Sequence, residues 1–271
     1  MKKYKVFDTI TFFDENLLVI SRFEILNDVV DYFIICESKF DHLGKEKNIN
    51  FKLLNKKFQN KVRHIVIKQN FPDLSNPWKI EEYQREIIFK GIYDAKDNDL
   101  IMYSDSDEIP NPEIIKNIDL IKKYGIFLQN FYVYKLNIFN QYETPWEGTR
   151  ITKKKNLKSI TYLRKKIKTK NLKKSFWKLN NERSIQLIYN GGWHFNNLYN
   201  IETISKKLKV FPHKKFNSKK YYNVELIKKK IDNLEDLFER NHKYKKVKID
   251  ASYPDFIRNK LKLFKNYILE Q

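Results

Sequence analysis

The chain has 271 residues, of which 41% are hydrophobic and 15% are aromatic. This composition excludes a disordered protein, and the single cysteine, Cys36, excludes a disulfide scaffold and suits a reducing compartment. Lys and Arg number 54 against 33 Asp and Glu, so the formal net charge is +21. Such a charge suits nucleic acid, an anionic membrane surface or phosphorylated substrates, although a general excess of lysine explains it equally well.

Strands and helices alternate in the first hundred residues. The β-rich or apolar runs that predict strands are residues 5–13, 29–38, 62–68 and 100–103. Apolar residues at helical spacing predict helices at residues 15–27, 51–60 and 78–94. This alternation is typical of a mostly parallel central sheet flanked by helices, and hence of an α/β protein with a nucleotide-binding half-domain.

The later elements are predicted as a helix at 112–123, one or two strands at 125–140, a loop at 141–150, a strand at 185–195 and mainly helices from 201 onward. We therefore expect a catalytic domain over residues 1–200, with a nucleotide-binding half at 1–112 and an acceptor half at 113–200. Residues 201–271 are expected to form a helical C-terminal extension packed on the same domain.

The most informative stretch is LIMYSDSDEIPNP at residues 100–112. A short apolar strand ends there in carboxylates, and ligands of open α/β sheets bind at the carboxyl ends of the strands. Mg²⁺ and Mn²⁺ prefer oxygen ligands and often join one or two carboxylates to substrate phosphates. Asp105 and Asp107 are therefore the first candidates for a metal–diphosphate site. The alternative is an acidic turn that precedes a helix starting near Pro112.

Three further residues are candidates for contacts with a nucleotide. Arg85 lies on the helix before the acidic strand, where its guanidinium suits a diphosphate, or else an ion pair with Glu81 or Glu82. Asp8 and Glu37 interrupt or end the first two strands, on the same sheet edge as residue 105 if the sheet is parallel. Carboxylates at that edge commonly hold ribose hydroxyls, although each also suits a turn or a helix cap.

A second motif, Gly191-Gly192-Trp193-His194, follows a predicted strand. Paired glycines permit a close backbone approach or a positive φ angle. His194 suits a metal ligand, and it equally suits a histidine buried in the core.

Every charged residue from 151 to 181 is basic, and Tyr162, Phe176 and Trp177 lie among them. This segment suggests an alternative function, a basic protein that binds nucleic acid, which leaves the acidic strand end unexplained. It also suits peripheral contact with an anionic membrane. Since no signal peptide or run of about 18 apolar residues occurs, we expect a cytoplasmic protein, peripheral at most to the inner membrane face.

The ordered set of motifs resembles glycosyltransferase family 17 from about Phe7 to Asn259. The segments that carry the resemblance are FDTITFFDE with Arg22, VVDYFIICES with Gly44, EYQRE, YSDSDEIPNP, PWEG and GGWHF. The resemblance implies a GT-A-like fold, a UDP-sugar donor, a divalent metal (Mn²⁺ or Mg²⁺) and inversion at the anomeric carbon. Its Asp-x-Asp metal motif matches Asp105 and Asp107.

The same resemblance implies that His194 turns toward the metal or the diphosphate, and that Asp8, Glu37, Arg85 and Asp105 lie on the nucleotide side. The expected reaction moves a sugar, with N-acetylglucosamine from UDP-GlcNAc as first choice, to a hydroxyl of a glycan or lipid-linked saccharide.

An inverting transfer needs a carboxylate as general base. Glu147 is our candidate because the preceding Trp146 suits stacking on a sugar ring, and Glu143 and Glu108 are its rivals.

Overall fold

A computed structural model describes residues 4–174, 181–209 and 219–270. The strands are β1 (Val6–Phe12), β2 (Tyr32–Ser38), β3 (Val62–Ile67), β4 (Leu100–Ser104), β5 (Glu108–Pro110), β6 (Tyr124–Val133), β7 (Ile138–Phe139), β8 (Trp146–Lys153), β9 (Ile185–Ile188), β10 (Gly192–Asn196) and β11 (Lys245–Lys246). The helices are α1 (Asn16–Leu26), α2 (Pro77–Ile87), α3 (Pro112–Lys116), α4 (Ile160–Lys166), α5 (Ile201–Lys209), α6 (Lys219–Tyr222), α7 (Val224–Asp232) and α8 (Asp255–Asn259). Within the described ranges, no helix is both long and apolar enough to cross a membrane.

The chain divides into two compact units, one of residues 1–129 and 147–192 and the other of residues 130–146 and 193–271. In the first unit the strand order is β3-β2-β1-β4-β8-β6, with β9 also paired to β6. Strands β3, β2, β1 and β4 are parallel, whereas β8 is antiparallel to β4. The predicted α/β class is confirmed, and the sheet is mixed.

Side chains alternate between the two faces of this sheet, as strand geometry requires. Val6 and Ile10 of β1 pack in the core that contains α1, whereas Phe7 packs in the core that contains α2 and α4. The same alternation places Asp8 on the α1 face and Tyr103 on the face of α2 and α4. Polar residues near the strand ends are therefore divided between two faces of the sheet.

Several helices begin at a polar side chain that accepts a backbone N–H of the first turn. Asn76 caps α2, Asn111 caps α3 and Ser159 caps α4, and each contact is 2.9–3.0 Å long. Pro77 and Pro112 occupy the first helical positions, where a missing N–H costs nothing. The predicted helix start at Pro112 is confirmed.

The second unit combines the chain insertion 130–146 with the C-terminal part. There β10 lies parallel to the second half of β6, β7 is antiparallel to β6, and β11 pairs with β7. Helices α5 and α7 close its apolar core. These units do not coincide with the boundary expected at residue 200, and the functional halves assigned from the sequence stay predictions.

Three element predictions need correction. The helix predicted at residues 51–60 is wrong, because only Lys56–Phe58 form a 3₁₀ turn. The backbone N–H groups of Asn50 and Phe51 donate to Glu37 at 2.6 and 3.1 Å, which ties this segment to the end of β2. Helix α3 ends at residue 116 rather than 123. The predicted loop 141–150 contains the start of β8 at residue 146, because this segment continues into the strand that pairs with β4.

Candidate active site

The acidic turn, residues 104–108, joins β4 to β5 and is closed by two hydrogen bonds between Asp105 and Glu108. The Glu108 N–H donates to the Asp105 carbonyl at 3.1 Å, and the Asp105 N–H donates to the Glu108 carboxylate at 3.1 Å. Glu108 is fully buried, whereas the Asp105 side chain is 39% exposed and Asp107 is half-buried. The turn therefore presents the two aspartates of the predicted metal motif at the carboxyl end of β4.

Arg85 and Asp105 are joined through the hydroxyl of Tyr103. Arg85 Nε donates to this hydroxyl at 3.1 Å, and the hydroxyl donates to Asp105 Oδ1 at 3.2 Å. Burial raises the pKa of Tyr103 to about 12, so the phenol stays protonated. Burial opposes the charge of Arg85, but Tyr103, Asp105 and Glu81 outweigh it and raise the pKa of the guanidinium.

Arg85 is only 7% exposed and donates to Glu81 at 2.8 Å, so the ion pair weighed as an alternative for Arg85 is present, and its contact with a diphosphate stays a prediction. Its Nη1 is buried without a hydrogen-bond partner in the part of the chain that the structure describes. A buried guanidinium N–H without an acceptor is costly, and it is well suited to an incoming anion.

Arg164 of α4 contacts the acidic turn from the other side. Its Nη2 donates to Asp105 and lies 2.8 Å from Glu108 Oε1, while its Nη1 lies 3.2 Å from Glu108 Oε2. Burial opposes its charge, but Asp105 and Glu108 raise the pKa of the guanidinium. Arg164 is buried, so Asp105 lies between two arginines, Arg85 and Arg164, that the fold holds in place.

Two further basic residues, Arg150 and Lys168, lie near Arg164 at the acidic turn. Arg150 is fully buried, and burial together with the nearby Arg164 lowers its pKa to about 10. Burial, Arg150 and Arg164 lower the pKa of Lys168 to about 8. Since each charge disfavours the others, the cluster is favourable for a ligand with several negative charges.

Glu147, the candidate base, is held in place by its neighbours. Its carboxylate accepts hydrogen bonds from the Thr169 N–H at 3.2 Å, from the Thr169 hydroxyl and from Arg150 Nη2 at 3.2 Å. The side chain is nevertheless 31% exposed, so a proton acceptor at this position is open to solvent.

The carboxylates of the acidic turn fit a hard divalent cation by their chemistry. No group of three or more His, Cys, Asp or Glu side chains arranged to hold a metal occurs among residues 4–174, 181–209 and 219–270. Mg²⁺ and Mn²⁺ at nucleotide sites are commonly held by one or two carboxylates together with substrate phosphates, and Asp105 and Asp107 match that requirement. Arg164 is a competitor for the Asp105 carboxylate.

Asp8 and Glu37 are each bound by other residues of the protein. Asp8 is paired with Arg22 on the α1 face, although the guanidinium of Arg22 also reaches Ser104 of the acidic turn at 2.8 Å. Glu37 is fully buried and accepts from Lys47 at 2.9 Å and from backbone N–H groups of the following loop. Both carboxylates therefore hold the protein's own chain together, and their contact with a nucleotide stays a prediction.

His194 belongs to the second unit and lies in its aromatic core. It is 3% exposed, stacks on Phe131 at 4.3 Å between ring centroids and lies 4.8 Å from Trp146. This agrees with the core interpretation of His194, and its role toward a metal stays a prediction. Trp146 is partly buried and packs against the same core, and its stacking on a sugar stays a prediction.

The structure accounts for part of the basic segment proposed to bind nucleic acid. Arg164 faces the acidic turn, Lys165 donates to Glu82, and Tyr162 lies 6.0 Å from Tyr124. Phe176 and Trp177 lie outside the described residues. Binding of nucleic acid is not tested by these contacts.

Sequence reasoning missed Tyr103, Arg150, Arg164 and Lys168 as individual site residues, although one signal was available. Only eight of the 54 basic residues are arginines. Four of the eight are buried and surround the acidic turn, namely Arg22, Arg85, Arg150 and Arg164. A planar guanidinium suits buried two-pronged contacts, so the arginines of a lysine-rich chain are candidates for such positions.

Taken together, the fold and this site define an α/β protein with a carboxylate turn set among buried arginines at the carboxyl end of a parallel strand. The model of glycosyltransferase family 17 matches residues 1–251, and the chain belongs to this family of transferases.

Two curated relatives are the β-1,4-mannosyl-glycoprotein 4-β-N-acetylglucosaminyltransferases of Homo sapiens and Rattus norvegicus. Each is 31% identical over 100 residues, which is 33% of this chain and 19% or 18% of the relative. The match thus spans about a fifth of each relative's length.

Among solved structures, glucosyl-3-phosphoglycerate synthase from Mycobacterium tuberculosis, in complex with Mn²⁺, UDP and phosphoglyceric acid, matches 56% of this chain and 56% of its own. The sequence identity is 9% and the TM-score is 0.28, and a similarity of this size carries no weight for the fold or the function.

Proposed function

We propose that the protein transfers a sugar, N-acetylglucosamine in the first instance, from a UDP-sugar to a hydroxyl group of a glycan or a lipid-linked saccharide. The observation that carries the proposal is the position of Asp105 between Arg85 and Arg164 at the carboxyl end of β4, beside the half-buried Asp107. Membership of glycosyltransferase family 17 supports the reaction class.

The charges at the site suit the departure of a nucleoside diphosphate. Among the residues that the structure describes, no acceptor contacts the buried Nη1 of Arg85, and Lys168 lies close to two arginines, so additional negative charge is stabilised there. A divalent cation, Mn²⁺ or Mg²⁺, at Asp105 and Asp107 would neutralise the diphosphate and orient it.

The general base is proposed to be Glu147. Of its rivals, Glu108 is fully buried and bound to Arg164, which leaves it no access to an acceptor hydroxyl. Glu143 is partly exposed, and it accepts from Asn140 at 2.8 Å and Arg240 at 3.4 Å. Glu147 is preferred because it belongs to the same unit as the acidic turn.

We also propose, as an extension, a cytoplasmic protein that contacts an anionic membrane carrying its lipid-linked acceptor. Lys155, Lys158, Lys166 and Lys170 are exposed and support such a contact. Co-sedimentation with anionic liposomes tests it, and filter binding of single-stranded RNA at two salt concentrations tests the nucleic-acid alternative.

Hydrolysis of a panel of UDP- and GDP-sugars, with and without Mn²⁺, tests the enzyme proposal without knowledge of the acceptor. Asp107→Ala should reduce release of UDP by about 100-fold or more while the thermal unfolding midpoint is unchanged. The control is Asp119→Ala, which removes an exposed aspartate outside the acidic turn. Turnover that survives both EDTA and Asp107→Ala would contradict the metal site.

A further inference from the structure

Arg164 binds the two acidic-turn carboxylates unequally. Glu108 is held by both terminal nitrogens, at 2.8 and 3.2 Å, and it is fully buried. Arg164 contacts Asp105 through Nη2 and not Nη1, and the Asp105 side chain is 39% exposed. The Arg164 guanidinium can therefore release Asp105 and remain bound to Glu108.

The Asp105 carboxylate cannot serve a guanidinium and a cation equally well at the same time. The carboxylate oxygen that accepts from Arg164 is Oδ2, and Oδ1 accepts from Tyr103. A cation that approaches Asp105 thus meets a carboxylate already neutralised by a positive charge, and it is repelled by that charge. A diphosphate removes this conflict, because guanidinium groups bind phosphate oxygens at least as well as carboxylates.

We infer that Arg164 exchanges one partner for another. In the nucleotide-free protein its Nη2 binds Asp105, and when the donor binds, Nη2 donates this hydrogen bond to the diphosphate instead. Asp105 is thereby released to the cation. This inference rests on the proposed function, since it requires a nucleoside diphosphate at the acidic turn. It makes Arg164 a positioning residue for the cation and a binding residue for the diphosphate.

The exchange predicts opposite effects on two ligands measured separately. Arg164→Met removes the competitor of the cation, so binding of Mn²⁺ without nucleotide should become about tenfold tighter. The same change removes a diphosphate contact, so binding of UDP in EDTA should become about tenfold weaker. If Arg164 only supported the turn, its substitution would weaken the binding of both ligands or of neither.

The measurements are electron paramagnetic resonance of free Mn²⁺ and calorimetric titration with UDP, both on the full chain. Lys165→Met is the matched control, because Lys165 is the next residue of α4 and pairs with Glu82 instead. It should leave both affinities within about twofold of the wild type. If Arg164→Met does not fold, Arg164→Lys serves instead, because it keeps a charge beside buried Glu108. Its affinities for Mn²⁺ and UDP should change in the same two directions by smaller factors.

Two outcomes overturn the inference. If the wild type binds Mn²⁺ and UDP but both affinities of the Arg164 variants move in the same direction or stay unchanged, the exchange is refuted while the proposed function stands. If the wild type binds neither ligand, the proposed function fails and the exchange fails with it.

Discussion

Arg22 of α1 holds the carboxylate of Asp8 in a two-pronged ion pair beneath the acidic turn. Its Nε lies 2.5 Å from Oδ2 and its Nη2 lies 2.6 Å from Oδ1, and both side chains are buried. The same Nη2 donates to Ser104 at 2.8 Å, and Nη1 donates to the Glu108 carbonyl. One guanidinium thus joins α1, β1 and the turn that carries the candidate metal ligands.

Asp8→Asn should destabilise the protein by about 3–5 kcal/mol, because it leaves the buried charge of Arg22 unpaired. Urea unfolding measures this loss, and Asp119→Asn, an exposed position, should change the free energy of unfolding by less than about 0.5 kcal/mol. An Asp8→Asn protein of normal stability that no longer binds UDP would instead favour the nucleotide role predicted from the sequence.

Glu37 should contribute stability that is lost in acid. Burial raises its pKa, but contacts with His64, Asn50 and Lys47 outweigh burial and bring the pKa below the ordinary 4.5. The stabilisation is therefore fully present above pH 4.5 and is lost as the pH falls through the lower, folded-state value. Glu37→Gln should be less stable than the wild type at neutral pH, and the difference should shrink as the pH drops below 4.5. A difference independent of pH would contradict this explanation.

Lys168 should destabilise the fold below about pH 8, where it becomes charged beside Arg150 and Arg164. Its folded-state pKa of about 8 lies below the ordinary 10.5, so the unfolded chain binds more protons between these values and stability rises with pH there. Lys168→Met should therefore raise the thermal midpoint at neutral pH, and this gain should disappear by about pH 10.5. Lys170→Met, which changes an exposed lysine nearby, is the control.

Gly192 should not tolerate a side chain. Its φ angle is +117°, and an added Cβ would lie 2.2 Å from the Ile109 carbonyl oxygen and 2.7 Å from the Asn111 nitrogen. Because both neighbours are backbone atoms, Gly192→Ala should cost about 2–4 kcal/mol. At Gly44, φ is +76° but the nearest atoms belong to the flexible Leu74 side chain, so Gly44→Ala should cost about 1 kcal/mol. Equal losses at the two positions would disprove the backbone explanation.

Glu147→Gln should reduce sugar transfer by about 100-fold or more if Glu147 is the base, since a positioned base contributes at least that factor. Its amide can still accept from Thr169, so the fold should survive. Glu143→Gln is the matched comparison and should retain most of its activity. Retained activity in Glu147→Gln, with loss in Glu143→Gln, would transfer the role of base to Glu143.

Local sequence determined the elements that depend on neighbouring residues alone. The runs at β1, β3 and β4 are apolar or β-branched and short, and Asn111 and Pro112 mark a helix start by their own chemistry. The acidic turn was predictable for the same reason, because a buried strand that ends in carboxylates is visible in a single stretch. Where a long-range partner overrides local preference, as Glu37 does for residues 50 and 51, the prediction of a helix failed.

Only the tertiary structure decided which charges meet. Asp8 and Asp105 both follow from the sequence as carboxylates of neighbouring strands, yet the pleat places Asp8 with Arg22 on one face of the sheet and Tyr103 with Arg85 on the other. Arg164 comes to Asp105 from 59 residues away, across a separation along the chain that no local pattern encodes. Ion pairs depend on distance in space, and the fold alone sets that distance.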